Sequence, residues 1–146
     1  MGRRCFIAEA FDPSSMPSDR RTARQKLGAR GERLATELLR SRGYRVVATN
    51  VRFPVGELDA VAWERDTLCL IEIRSVSSLR WGGALASITD RKRRRIVRAA
   101  RWYLKRLRMK PEFVRFDVVG IEWQEAGRPT LELVQGAFDD VEASWG

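Results

Sequence analysis

The chain has 146 residues, of which 44% are hydrophobic, enough for one domain with a real core. It carries 28 Lys and Arg against 19 Asp and Glu, a net charge of +9. That balance asks for an acidic partner, most simply nucleic acid, although composition leaves a merely soluble basic protein open. Histidine is absent, which excludes His-based acid–base chemistry, Ser-His-Asp triads and His-ligated zinc. Cys5 and Cys69 cannot build a zinc site alone and imply no disulfide framework, as expected of a reducing cytoplasm. No run of 18 apolar residues is present, so no membrane insertion is expected, and the N-terminus lacks the apolar stretch of a signal peptide.

Residues 1–21 include "FDPSSMPSDRR" and read as a flexible leader. Residues 22–140 are expected to form a single domain and 141–146 a C-terminal tail. From about Thr22 to Arg42 the spacing is helical, with Leu27, Gly31, Leu34, Ala35, Leu38 and Leu39 on one face and Gly43 as the C-terminal stop. Strands are expected over 44–52, 57–63 and 68–74, the last two joined by "ERDT". A loop containing Trp81-Gly82-Gly83 follows. A long helix should start at Thr89 or Asp90 and run to about Arg108, with Pro111 beyond it. Strands at 113–122 and 131–135 complete an α-β-β-β-α-β-β order. The fold class is therefore α/β, a mixed sheet flanked by helices.

The segment "GELDAVAWERDTLCLIEIR" (56–74) contains acids inside runs that ask to be buried. A symmetric hairpin about "ERDT" sets Glu64 against Thr67, Val61 against Leu70, Asp59 against Glu72 and Glu57 against Arg74. Opposed residues have Cβ atoms about 4.5–5.5 Å apart, so two carboxylates meet with a guanidinium nearby. Like charges so placed need compensation, and Mg²⁺ or Mn²⁺ bound by Asp59 and Glu72 is the natural one. Such an ion activates water and stabilises charge on a phosphate. In the competing reading both acids face solvent and Arg74 neutralises them. Glu32 lies at the border of the first helix's apolar face, where it could reach the sheet as a third acid or snorkel to water.

From Arg91 to Lys110 there are eleven Lys or Arg and no acid. Ile96, Val97, Ala100, Tyr103, Leu104 and Leu107 form the apolar stripe. Arg91, Lys92, Arg94, Arg95, Arg98 and Arg101 are the cations expected to hold nucleic acid, with Lys105 and Arg108 on the same side. A face of one sign repels itself unless it meets polyanion. Anionic lipid is the competing partner. Nothing reads base edges, so backbone and shape recognition is expected.

The landmarks "GARGERLA", Gly43-Tyr44, "TNVR", "GELDAVA", "LIEIR", the "WGG" loop, Lys92, "RFDVV" and the terminal "AF", taken in order, resemble the YraN-type family of small uncharacterised bacterial proteins. These are predicted nucleases regarded as distant relatives of archaeal Holliday-junction resolvases, within the restriction-endonuclease-like PD-(D/E)xK superfamily. The resemblance spans Gly28 to Phe138. It implies that Asp59 is the superfamily aspartate, Glu72 the acid of the (D/E)xK element and Glu32 the glutamate of the first helix. It also implies a Mg²⁺-dependent endonuclease acting on DNA, with branched or structured DNA as the substrate class, and a homodimer that pairs two sites. Arg74 stands where lysine is usual. Arginine supplies charge and grips phosphate but cannot act as a base, which leaves a water activated by the metal as nucleophile. It also keeps open a binding-only member of the same fold. Asp117, in "RFDVV", is more simply a structural residue that anchors its strand end to Arg115 or to a helix terminus. A basic protein that coats RNA or membrane surfaces by charge alone is the remaining alternative.

Overall fold

A computed structural model describes residues 23–139; the expected leader (1–21) and tail (141–146) lie outside them. Helix α1 (Ala23–Ser41) ends as its glycine demands. Gly43 adopts φ +89, its N–H reaches the Arg40 carbonyl at 3.1 Å, and Tyr44 N–H reaches Leu39 O at 3.0 Å. This paired closure satisfies carbonyls the helix would otherwise leave open. Strands β1 (Arg45–Phe53), β2 (Gly56–Glu64) and β3 (Thr67–Val76) follow. A one-turn helix α2 (Gly83–Ala86), not anticipated from the sequence, precedes α3 (Asp90–Arg106). Strands β4 (Phe113–Glu122) and β5 (Thr130–Phe138) complete the domain, the last longer than its alternation suggested.

The five strands form one mixed sheet in the order β1-β2-β3-β4-β5. β3 and β4 are parallel and the other neighbours antiparallel. A parallel pair needs a crossover, and α3 is its main element. One face packs Leu58, Val61, Leu68, Leu70 and Val118 against Ile96, Val97, Ala100 and Leu104 of α3. The other packs Ala60, Ala62, Ile71, Val119 and Ile121 against Ala35 and Leu39 of α1. Gly31 seats α1, since a Cβ there would stand 3.1 Å from Ile121. Leu27, expected on the buried face, is 42% exposed; it lies two turns before Leu34. Among the described residues no helix is long and apolar enough to cross a membrane.

The first two strands depart from regular alternation at a register shift between Val46 and Ala48 and again opposite Asp59. Leu58 and Val61 are three residues apart yet share the core beneath α3, and so do their partners Val51 and Ala48. A regular strand alternates every residue and cannot do this. Between them Asn50 adopts φ +52, a left-handed conformation that asparagine tolerates better than most residues. Asn50 thus interrupts β1 where β2 carries Asp59.

Candidate functional site

Strand alternation continues Leu68 and Leu70 to Glu72, so Glu72 lies on the face under α3 and is only 3% exposed. The crossover returns the first turn of α3 to the C-terminal half of β3. There Lys92 Nζ stands 3.4 Å from Glu72 Oε2. Lys92 precedes Ile96 by four residues and therefore shares the apolar stripe rather than the solvent face. Thr89 caps this turn by accepting the Lys92 backbone N–H at 3.1 Å. Lys92, expected among the cations that hold nucleic acid, stands beside the acidic pair.

Arg74 is two residues beyond Glu72 on the same face. Its Nε donates to Ser87 Oγ and its NH2 to Ser87 O, both at 3.1 Å. Ser87 Oγ in turn donates to Ala84 O at 2.6 Å. One edge of the guanidinium is thereby fixed on the end of α2, while NH1 faces Glu72 Oε2 at 3.9 Å. The seat of α2 depends on Gly120, the register partner of Arg74. A Cβ at Gly120 would fall 2.5 Å from Ala84 Cβ.

Asp59 enters from β2. The β2–β3 pairing runs from Glu64↔Thr67 through Val61↔Leu70 to Ala60↔Ile71, as the symmetric turn predicts, and stops one residue short of Asp59. There the Asp59 carboxylate itself accepts the Ile73 N–H at 2.8 Å. The two carboxyl groups remain neighbours, each perturbing the protonation of the other. The expected pairing of Glu57 with Arg74 does not form, because the ladder has ended. Glu57 is exposed and lies 3.9 Å from Arg52, its partner on β1.

Burial, then the charge of Asp59, pushes the Glu72 carboxyl up to about 8; Lys92 and Arg74 only partly offset this. Burial also raises Asp59, against the pull of the Ile73 N–H. Without further positive charge the pair keeps a proton through neutral pH. Two carboxylates, with water and substrate phosphate completing the shell, are what Mg²⁺ commonly takes from a protein, so the donor set fits that ion.

Glu32 is not a member of this pair. It comes from α1, on the opposite face, where both its carboxylate oxygens accept Asn50 Nδ2 at 2.7 Å. Among the described residues no three of His, Cys, Asp and Glu come together as a metal-binding group. Glu32 instead clamps the kink opposite Asp59. Asp117 is also separate. It is fully buried and accepts Tyr44 OH at 2.7 Å, Arg115 Nε at 2.8 Å and Gly136 N–H at 2.9 Å. Arg115 NH2 reaches Glu64 at 2.8 Å. This satisfied network bridges β4, β5 and the end of β2, which makes Asp117 structural and bears out its pairing with Arg115.

Arg91, Arg94, Arg95, Arg98 and Lys105 of α3 are exposed, as is Arg108 just beyond it, whereas Arg101 is half-buried. Sequence reasoning missed Ser87 and Asn50. An asparagine inside a strand was a usable signal for the kink; nothing local marks Ser87.

The fold and these side chains define a small α/β protein with an acidic pair, buried Glu72 and half-buried Asp59, at the end of a central strand, flanked by two cations. The chain belongs to a family described as the uncharacterised protein family UPF0102, which it matches over residues 31–121. It is 39% identical over 116 residues to a UPF0102 protein of Desulfosudis oleivorans, covering 80% of this chain and 92% of that one. A UPF0102 protein of Symbiobacterium thermophilum is 40% identical over 114 residues, 78% of this chain and 97% of that one. One from Pseudomonas aeruginosa is 38% identical over 124 residues, 84% of this chain and 98% of that one. The family membership read from the sequence landmarks is thereby borne out.

Proposed function

We propose that this protein is a metal-dependent phosphodiesterase that cuts nucleic acid, with DNA as the favoured substrate. The observation that carries the reading is buried Glu72 with half-buried Asp59 beside it, an arrangement that opposes folding unless positive charge joins it. Asp59 and Glu72 would hold Mg²⁺ or Mn²⁺. When bound, the ion supplies charge at the scissile phosphate and lowers the pKa of the attacking water. Arg74, fixed by Ser87, aims its free edge into the site and stabilises the negative charge that grows on the phosphate. Lys92 adds an ammonium beside Glu72. Glu32 acts through Asn50, positioning the kink that carries Asp59. The exposed arginines of α3 grip the backbone at points that carry no sequence information. A resolvase-like protein pairs two active sites, so this reading includes a homodimer.

A binding-only role is the second reading, favoured by the arginine at position 74 and by the lack, among the described residues, of a third acid beside the pair. One experiment separates the two. Branched, single-stranded and duplex DNA are incubated with the protein in Mg²⁺, in Mn²⁺ and in chelator, beside Asp59→Asn and Glu72→Gln. Cutting that needs metal and is lost in both variants is the expected result. Binding that survives both substitutions, with no cutting in either metal, leaves the second reading.

A further inference from the structure

Trp81 has no part in the site or in either core. Its side chain is 93% exposed, while Leu79 and Gly83 on either side are held against the fold. Leu79 N–H donates to Glu122 Oε2 at 2.6 Å, and Gly83 N–H donates to Arg80 O at 3.0 Å. The loop is therefore tied down, and it presents the indole to solvent. Its backbone is also unusual. Trp81 adopts φ +57, followed by Gly82 at +85 and Gly83 at +45. Glycine suits those angles, but a bulky residue adopts them rarely, and such outliers persist where the surroundings enforce them. Burial gives no reason for a tryptophan here, so the ring faces an absent partner.

The position narrows what that partner is. Trp81 immediately precedes α2, whose C-cap Ser87 holds Arg74. Only Gly82 and the one turn of α2 separate Trp81 from that grip in the chain. The exposed Arg80 sits beside it. A flat aromatic surface beside cations suits a nucleobase over its phosphate backbone, because every base has a face that stacks. A base inside an intact duplex has both faces covered.

Resting on the phosphodiesterase reading, we infer that Trp81 is a stacking platform for an unpaired nucleobase. The strand presented to Asp59 and Glu72 is then single-stranded, gapped or branched rather than continuous duplex.

The test is equilibrium binding in chelator, where no cutting intervenes. Wild type, Trp81→Ala and Trp81→Phe are titrated into a labelled single-stranded oligonucleotide and a continuous duplex of equal length, at one salt concentration. Trp81→Ala should lose about 10-fold or more on the single strand and stay within about twofold on the duplex, while Trp81→Phe keeps most of the affinity. Because the side chain is exposed, the melting temperature of both variants should match wild type. Equal affinity of Trp81→Ala and wild type for the single strand overturns stacking and leaves the nucleic-acid reading standing. Equal losses on both probes overturn it as well. Wild type that binds neither probe overturns both readings. So does a Trp81-dependent fluorescence change with anionic vesicles but not with the oligonucleotide.

Discussion

Replacing Glu72 by glutamine should stabilise the metal-free protein and disable it at once. In the fold Glu72 keeps its proton up to about 8, whereas the unfolded chain releases it near 4.5. A group whose folded pKa is raised contributes stability that is complete below the unfolded pKa and lost as pH rises through the folded one. Wild type therefore loses stability across the window from about pH 4.5 to 8, by at most about 5 kcal/mol if the whole shift is realised. Glutamine carries no such charge and can donate to Asp59. It gives up the approach of Lys92 at 3.4 Å, but that ammonium is partly solvated and finds water instead. The net gain at pH 8 should be about 1–3 kcal/mol, a rise in melting temperature of about 4–10 °C, falling towards zero near pH 5. The assay is thermal unfolding of both proteins at pH 5, 6.5 and 8, in chelator and in millimolar Mg²⁺. Mg²⁺ should raise the wild-type transition most at pH 8, because ligands must shed protons to bind it, and leave Glu72→Gln unmoved. If Glu72→Gln melts below wild type at pH 8 in chelator, the buried charge is not opposed to the fold. The reasoning from the acidic pair then collapses.

Asp117→Ala should cost about 3 kcal/mol in denaturant unfolding, since it strips Arg115, Tyr44 and the Gly136 N–H of their acceptor. DNA binding, measured in parallel, should be unchanged in the folded fraction. Replacing Arg94, Arg95 and Arg98 by glutamine should weaken DNA binding and reduce the slope of log affinity against log salt by about 0.9 for each phosphate no longer neutralised. An unaltered slope would remove α3 from the interface. Gly120→Ala should push α2 off its seat on β4 and loosen Ser87 from Arg74. Its cost in stability is about 1–3 kcal/mol, and the cutting rate should fall further than DNA affinity does.

Much of the fold was legible because its signals are local. The alternation of "ELDAVAW" and "LCLIEIR" about a two-residue turn set the pairing of Glu64 with Thr67 and Val61 with Leu70, and burial of one face permits no slip. Gly43 ended α1, and Thr89 capped α3, for reasons contained in a few residues. The pairing failed to predict Glu57 because a side chain intervened. The Asp59 carboxylate took the Ile73 N–H that a continued ladder would have used. Lys92 was expected only as a nucleic-acid-holding cation, although its spacing to Ile96 aligned it with the apolar stripe. Charge suggested nucleic acid, while helical phase directed it to the sheet.

The sequence by itself determined which residues could meet across the hairpin, because turn length and strand alternation act over a few covalent bonds. It also determined that one helix face would be wholly cationic. What only the tertiary structure decided is which charges converge. The parallel step from β3 to β4 forces α3 to begin beside Glu72, which delivers Lys92. Gly120 admits α2 closely enough for Ser87 to hold Arg74, and α1 carries Glu32 to Asn50 on the opposite face. These interactions join residues distant in the chain through packed elements, and no local pattern encodes the packing.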